Sequence, residues 1–299
     1  MERTAPPPWL RNRNPFVSAA KVATLGFCAL VILLPFLYVI EVSLLTRKEV
    51  IQTAGAVLIP HALSLTAYSE ILTSTIVQRS LIVSIGITVV GTLLSLGVTT
   101  GLAFGLSRPN MPARRPLLLL VLLTFLFSPG IIPVYLMVKE LNLLNSYGSL
   151  ILPGLVSTFN FVVLRNFFMN IPKDLIDSAQ IDGANDFDIL WNITIPLSKA
   201  AMAVIGLFYA VGYWNAFFNA LLYLNDASKW PIQLVLRQYV LQGSTIPTAA
   251  AVAAQANITP PSEAIQMAIV IVALIPILVV YPLLQRYFVT GVLTGAIKS

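Results

Sequence analysis

The residues with the clearest chemical capacity are Asp174, Asp177, Asp182, Asp186 and Asp188, five of the chain's twelve acids, all between Pro172 and Pro196. A bilayer cannot easily hold them. At about 2.5–3.5 kcal/mol for an Asp near a helix centre, five would cost on the order of 12 kcal/mol or more. They must lie in water or against a partner. Between Asn170 and Lys199 they outweigh only Lys173 and Lys199, so the partner this stretch suits is a basic surface; the other reading is a solvated acidic loop lying on the membrane.

Much other chemistry is missing. His61 is the one histidine and Cys28 the one cysteine, which leaves no disulfide framework, no Cys/His metal cluster and no Ser/His/Asp set. No G-x-x-x-x-G-K-[ST] phosphate loop occurs, so the chain has no motif of its own for binding or hydrolysing ATP. Paired acids inside the apolar runs, which a proton-coupled carrier would often use, are also missing.

The elements that must position the acidic stretch are apolar. The 299 residues are 57% hydrophobic and 10% charged, with a mean hydropathy of +0.85. A soluble domain has roughly a quarter of its residues charged, so this is an all-α polytopic membrane protein. Six spans are predicted, over about 22–40, 81–106, 116–138, 150–168, 200–223 and 264–284. The first is too long for a signal peptide's apolar core and no A-x-A site closes it, so it is read as an uncleaved span. The organisation predicted is a cytoplasmic arm over 1–21, a first span with its external loop over 22–78, and a core of five spans over 79–299. That core carries a cytoplasmic loop at 170–199 and a C-terminal tail. Twelve of the eighteen basic residues, among them Arg108, Arg114, Arg115, Arg165 and Arg286, fall on one side of this map. Both termini and the acidic loop are therefore predicted to be cytoplasmic. The net charge of +6 is explained by that orientation and does not call for nucleic acid.

Local signals refine the map. Gly97, Gly101 and Gly105 line one face of span two, a pattern that lets another backbone approach; packing inside the chain is the expectation over a dimer seam. Ser128-Pro129-Gly130 and Pro133 should break span three, which at membrane depth is tolerated only beside protein or a water-filled cavity. In the acidic loop, Pro172 suits a first helical turn and Asp174 the positive end of the helix dipole. Leu175, Ile176 and Ala179 should share one face, and Gly183 should close the helix in a left-handed conformation. A second short helix over 186–192 should stop before Pro196.

The loop then resembles a known family. Asp177-Ser178-Ala179, Asp182-Gly183-Ala184, and Ile193, Ile195 and Pro196 are similar to the EAA loop of binding-protein-dependent ABC importer permeases, with Asp for Glu at 177 and Ser for Ala at 178. RNFF at 165–168, LFYAVGYWNAFFNALLYL at 207–224 and the ending GVLTGAIKS resemble its carbohydrate branch, including permeases for alginate and other uronic-acid oligomers. The resemblance runs from about residue 80 to the C-terminus. It implies a type I ABC importer permease fold in a bacterial cytoplasmic membrane, with a loop that docks into a cytoplasmic ATPase. Asp177 would pair with a basic residue there, and Gly183 would be the turn glycine. The implied partners are a second permease, two ATPase subunits holding ATP and Mg²⁺, an external solute-binding protein, an oligosaccharide and membrane lipid.

For a sugar path the resemblance directs attention to spans four and five. Gly212, Asn215 and Asn219 follow i, i+3, i+7 spacing on a face with Phe208, beside Tyr213 and Trp214, and Asn160 lies in span four. Amides can bond sugar hydroxyls and rings can stack on sugar faces. The same residues also serve as interhelical bonds and interface anchors. The alternative function is an ion-coupled secondary sugar transporter acting without an ATPase.

Overall fold

The computed structural model describes residues 15–46, 63–127, 129–242 and 262–296. All regular elements among them are helical. The long ones are α1 (Pro15–Ser43), α3 (Thr75–Ser107), α11 (Lys199–Trp214) and α14 (Ser262–Ala296). Between α1 and α3 lies α2 (Thr66–Thr73). Next come α4 (Arg114–Leu126), α5 (Ile131–Glu140), α6 (Gly148–Ile151) with a 3₁₀ turn (Leu152–Gly154), and α7 (Thr158–Met169). The acidic loop holds α8 (Lys173–Ile181), α9 (Asp186–Ile189), a π-helical turn (Leu190–Thr194) and α10 (Ile195–Leu197), and α12 (Phe217–Tyr223) and α13 (Ile232–Gln242) follow α11.

Among the described residues, three helices are long and apolar enough to cross a membrane, and up to six candidate spans result by length and composition when each bent pair counts as one. Pro15–Ser43, Thr75–Ser107 and Glu263–Pro282 are unbroken; Arg114–Leu126 with Ile131–Glu140 bends by 119°, Gly148–Gly154 with Thr158–Met169 by 51°, and Asp186–Leu197 with Lys199–Trp214 by 84°. The expected break in span three is present, with Gly130 at φ +80°.

Several boundaries differ from expectation. Helix α1 starts at Pro15, because one isolated cation, Lys21, can lift its head from an apolar helix without ending it. Helices α2 and α13 form inside stretches expected to be loops. Helix α14 passes Pro276, Pro282 and Leu284 and ends at Ala296, since neighbouring helices and local adjustment tolerate proline in a membrane helix. Span four is two pieces, broken where Pro153-Gly154 ends the 3₁₀ turn, and span five is broken at Asn215–Ala216. Residues 1–14, His61 and residues 243–261, where a loop was expected, lie outside the described residues.

The chain divides into two compact units, residues 1–71 with 246–271, and residues 72–245 with 272–299. In the first, the Ser43 and Tyr68 hydroxyls share a 2.7 Å hydrogen bond, the Ser64 N–H donates to the Leu44 carbonyl at 2.9 Å, and Val42 and Leu45 pack with Met267. In the second, Leu106, Phe161, Leu164, Ile189, Ile205 and Leu234 are fully buried in one apolar core, and α3, α7 and α11 supply most of it.

The closest approach to a glycine of α3 is made by a side chain, and at a glycine other than those expected. A Cβ at Gly97 or Gly101 would meet nothing within 4 Å, whereas one at Gly91 would stand 2.8 Å from the Tyr213 ring. At 3.6 residues per turn, Gly91, Ser95 and Thr99 share a face, and Gly97 lies nearly opposite it. The chain therefore buries the Gly91 side of α3 and leaves the Gly97–Gly101 side open.

Tyr213 cannot retreat from Gly91, because Ser95 and the Ile151 carbonyl hold its hydroxyl. Gly91→Ala should destabilise the chain by about 1–3 kcal/mol, the usual cost of overpacking. Gly97→Ala should be close to neutral. Thermal unfolding of the two variants in detergent, side by side, checks this; equal midpoints would refute it.

Candidate functional site

The acidic loop is built from helix-end chemistry. Pro172 stands at the N-cap of α8 with φ −54° and ψ 128°, one place before the first turn, and Asp174 follows at the positive end of the helix dipole. At the other end Gly183 has φ +88°. The Ala184 N–H donates to the Ala179 carbonyl at 2.9 Å and the Gly183 N–H to the Gln180 carbonyl at 3.1 Å. These are the two bonds of a Schellman motif, in which Gly occupies the left-handed position without the penalty a Cβ brings. Ala179 and Ala184, the residues this motif brings together, both pack against the core. The Asp182-Gly183-Ala184 run is thus a helix stop that seats its alanine inward.

Helix α9 begins with a reciprocal capping box that sequence reading missed. Asn185 Oδ1 accepts from the N–H groups of Phe187 (2.9 Å) and Asp188 (3.0 Å), and Asp188 Oδ2 accepts from the Asn185 N–H (3.2 Å). The signal was present as Asn-x-x-Asp, a variant of the familiar Ser/Thr-x-x-Glu. Helical winding then continues through Pro196 to Leu197, past the expected stop, by way of the π turn. The wider π turn makes room where the proline ring would crowd the preceding one.

Asp177 lines a cavity of about 840 Å³ with Arg108, Arg114, Lys173, Gln180 and Asp186. Asp186 accepts from Arg108 Nη2 at 2.9 Å. Ser178 is exposed and its hydroxyl donates to the Leu175 carbonyl at 3.2 Å; Asp182 and Pro196 are also exposed. Ile176 and Ala179 pack inward, but Leu175, expected beside them, is exposed. With Ile181 (87% exposed), Phe187 (67%) and Trp191 it presents apolar surface outward. Apolar side chains of this size gathered outward on one loop mark an interaction surface.

A second cavity, of about 450 Å³, opens at the breaks in spans four and five. Asn160, Gly212, Tyr213 and Asn219 line it, with Ser157, Phe159, Phe208 and Tyr209. The Phe159 and Phe208 rings lie 6.2 Å apart. Trp214 and Asn215 are not in the lining. Trp214 is buried and its Nε1–H donates to the Ala273 carbonyl at 3.1 Å. Because α11 stops at Trp214, Asn215 and Asn219 do not continue one helical face with Gly212.

Two tyrosines hold this cavity's walls together. Tyr209 Oη accepts from the Ser157 N–H at 2.9 Å and lies 2.7 Å from Thr99 Oγ1. Tyr213 donates its one proton to the Ile151 carbonyl at 3.2 Å, so Ser95, 2.7 Å away, donates to Tyr213. Ile151 and Ser157 flank the break in span four, where helical bonds are lost. Sequence reading placed Tyr213 on a sugar path and missed Tyr209, Ser95 and Thr99; their four-residue spacings were the available signal.

Compared with known proteins, residues 97–294 match the family described as Binding-protein-dependent transport system inner membrane component. The chain is 47% identical over 271 residues to the polygalacturonan/rhamnogalacturonan transport system permease protein YtcP of Bacillus subtilis (strain 168), covering 91% of this chain and 94% of the relative. Protein LplC of the same organism is 43% identical over 275 residues, 92% of each chain. A chain in the crystal structure of a bacterial ABC transporter involved in the import of the acidic polysaccharide alginate superposes with a TM-score of 0.85 at 31% identity, covering 92% of this chain and 97% of the other. A chain of a bacterial alginate ABC transporter in complex with an alginate pentasaccharide-bound periplasmic protein shares the fold, with a TM-score of 0.59 at 15% identity.

The tyrosine bonds make unequal demands. Tyr209→Phe leaves the Ser157 N–H without its acceptor, which should cost about 1–3 kcal/mol. Tyr213→Phe frees the Ile151 carbonyl, which keeps a second lone pair for other partners, and the buried Ser95 hydroxyl, which can turn back to the carbonyl four residues earlier in its own helix, so its cost should be smaller. Unfolding midpoints of both variants in detergent test the order; a greater loss for Tyr213→Phe would contradict it.

Proposed function

This chain belongs to the binding-protein-dependent transport system inner membrane component family, and from that membership we propose that it imports acidic oligosaccharides as one of two permeases driven by a separate ATPase. A multi-pass inner-membrane transport subunit is what the family and the helices establish. The substrate class, the ATPase and the pairing with a second permease are the proposal. Its weight rests on the 450 Å³ cavity, which falls within the about 300–1,000 Å³ usual for small-molecule sites and combines two amides, Asn160 and Asn219, with the rings of Phe159 and Phe208.

The acidic class is favoured by the relatives. One bears a polygalacturonan/rhamnogalacturonan name and a similar structure serves alginate import. The cavity lining carries no lysine or arginine. A uronate would therefore be met by amide N–H groups, and tight recognition would fall to the external binding protein, which leaves passage through the membrane weak and fast. Nothing specific favours the ion-coupled alternative.

In this reading Asp177, Ser178, Ala179, Asp182, Gly183, Ala184 and Pro196 form the coupling segment. The exposed Leu175, Ile181, Phe187 and Trp191 give it an apolar face for the ATPase cleft. ATP and Mg²⁺ are held by that partner. Its closure moves the loop, and the membrane helices turn from inward- to outward-facing. The arm over 1–21, the first span with its loop over 22–78 and the core over 79–299 are the working division, with both termini cytoplasmic.

Reconstitution with the partner permease, the ATPase and the binding protein tests this. Gly183→Ala forces a Cβ into a left-handed residue at about 1–2 kcal/mol, and with Asp177→Ala it should lower both binding-protein-stimulated hydrolysis and uptake. Asn160→Ala or Asn219→Ala should cut uptake by about tenfold, the worth of one hydrogen bond, and leave stimulated hydrolysis in place. Oligogalacturonate should compete for uptake better than a neutral oligosaccharide of equal length. Uptake that continues without ATP hydrolysis would defeat the reading.

A further inference from the structure

We propose that Arg108 is the post on which the coupling loop hangs, so that the loop, α3 and α11 move as one lever. This rests on the ATPase-coupling reading above and adds to it a residue outside the loop.

The post itself is fixed. Arg108 is the C-cap of α3 and its N–H donates to the Gly105 carbonyl. Its guanidinium lies 4.8 Å over the Phe104 ring, and Phe104 is buried in the core with Leu106 and Ile189. The Arg108 side chain is 16% exposed while that of Asp186 is 73% exposed. The cation is held by its own span, and the acid reaches up to it from the loop. Two more arginines stiffen the same helix end: Arg114 Nε and Arg165 Nε both donate to the Leu106 carbonyl, at 3.0 and 2.9 Å.

Across the 840 Å³ cavity the loop residues Lys173, Ile176, Asp177 and Gln180 face the inner end of α3. Among the described residues, Arg108–Asp186 is the ion pair that crosses it. An ion pair so exposed on one side adds little stability; what it supplies is a fixed distance between α9 and α3.

That distance closes a mechanical circuit. From Arg108 the helix α3 runs unbroken to Thr99 and Ser95, about 13 and 20 Å away along its axis. Thr99 and Ser95 bond Tyr209 and Tyr213 on α11. Helix α11 returns through the 84° bend to α10 and the loop. A displacement of the loop therefore reaches the cavity walls by two arms, one covalent through α11 and one through Arg108. With the second arm cut, the loop can pivot at the bend while α3 stays behind.

The test uses the complete reconstituted transporter and reads oligosaccharide imported per ATP hydrolysed. Arg108→Ala and Asp186→Asn should each still co-purify the ATPase, and each should lower that ratio by about fivefold, within the range found for residues that carry coupling without touching ligand. The exchanged pair, Arg108→Asp with Asp186→Arg, should return it to within about twofold of the unsubstituted protein, which a merely structural role would not do. Asp186→Asn, isosteric and exposed, carries the test if Arg108 variants fail to accumulate. A coupled unsubstituted transporter whose single variants keep the ratio, or whose exchanged pair is no better than the singles, overturns this assignment alone. An unsubstituted transporter that imports without hydrolysis overturns the coupling reading and this assignment with it.

Discussion

Backbone polar groups that lose their helical partners inside a membrane must find others, since lipid offers none. This chain breaks three spans. At the break in span four the replacement partners are the Tyr209 and Tyr213 hydroxyls, which engage the Ser157 N–H and the Ile151 carbonyl. Each hydroxyl is completed from the far side by Thr99 or Ser95. Three helices are thereby pinned at two points. For the rings to reach there, α3 must come close, and Gly91 allows it by presenting no side chain to Tyr213. The cavity exists because the breaks leave space, and its walls keep their shape because the tyrosines bridge them.

The acidic loop obeys a different constraint, that of starting and stopping very short helices in water. A four-residue helix such as α9 has hardly any internal hydrogen bonds and depends on its cap. Asp174, Asp186 and Asp188 all sit in first turns, where the helix dipole favours negative charge, and Asp188 also completes a capping box. Much of the acid that first draws attention is thus architectural. Asp177 and Asp182 stand apart from those first turns, one lining the cavity under α3 and the other capping α8. This division bears on the family pattern too: Gly183 and Ala184 end the helix and seat it on the core, and so set where the outward apolar face lies.

Span number and the loop were legible in the sequence because they rest on strong local signals, long apolar runs and a glycine at a helix end. The break in span three was legible from Ser128-Pro129-Gly130. Pro153-Gly154 carried an equal signal for span four, overlooked because the apolar run continued across it. The break at Asn215–Ala216 had no such mark, and its position is set by packing of α11 and α12 in the core. Gly91, Ser95 and Thr99 were hidden for a related reason: in a helix apolar all round, with four more glycines in it, periodicity does not say which face is buried. Arg108 read as one of three basic residues marking the cytoplasmic side, and only the fold shows that Phe104 and Asp186 fix it.

The open side of α3 bears on how much of a transport path one chain can supply. Gly97 and Gly101 meet nothing within 4 Å, and Leu93, Leu94 and Val98 beside them are exposed. A lipid-facing helix has no need of glycine, which weakens helices relative to alanine, whereas a close helix contact does. The cavity at 450 Å³ is at the lower end of small-molecule sites, short of what a sugar chain of several residues requires. Both features fit the proposed pairing: the surfaces this chain leaves unfinished are those a second permease would complete, and under that proposal the oligosaccharide path would be shared between the two.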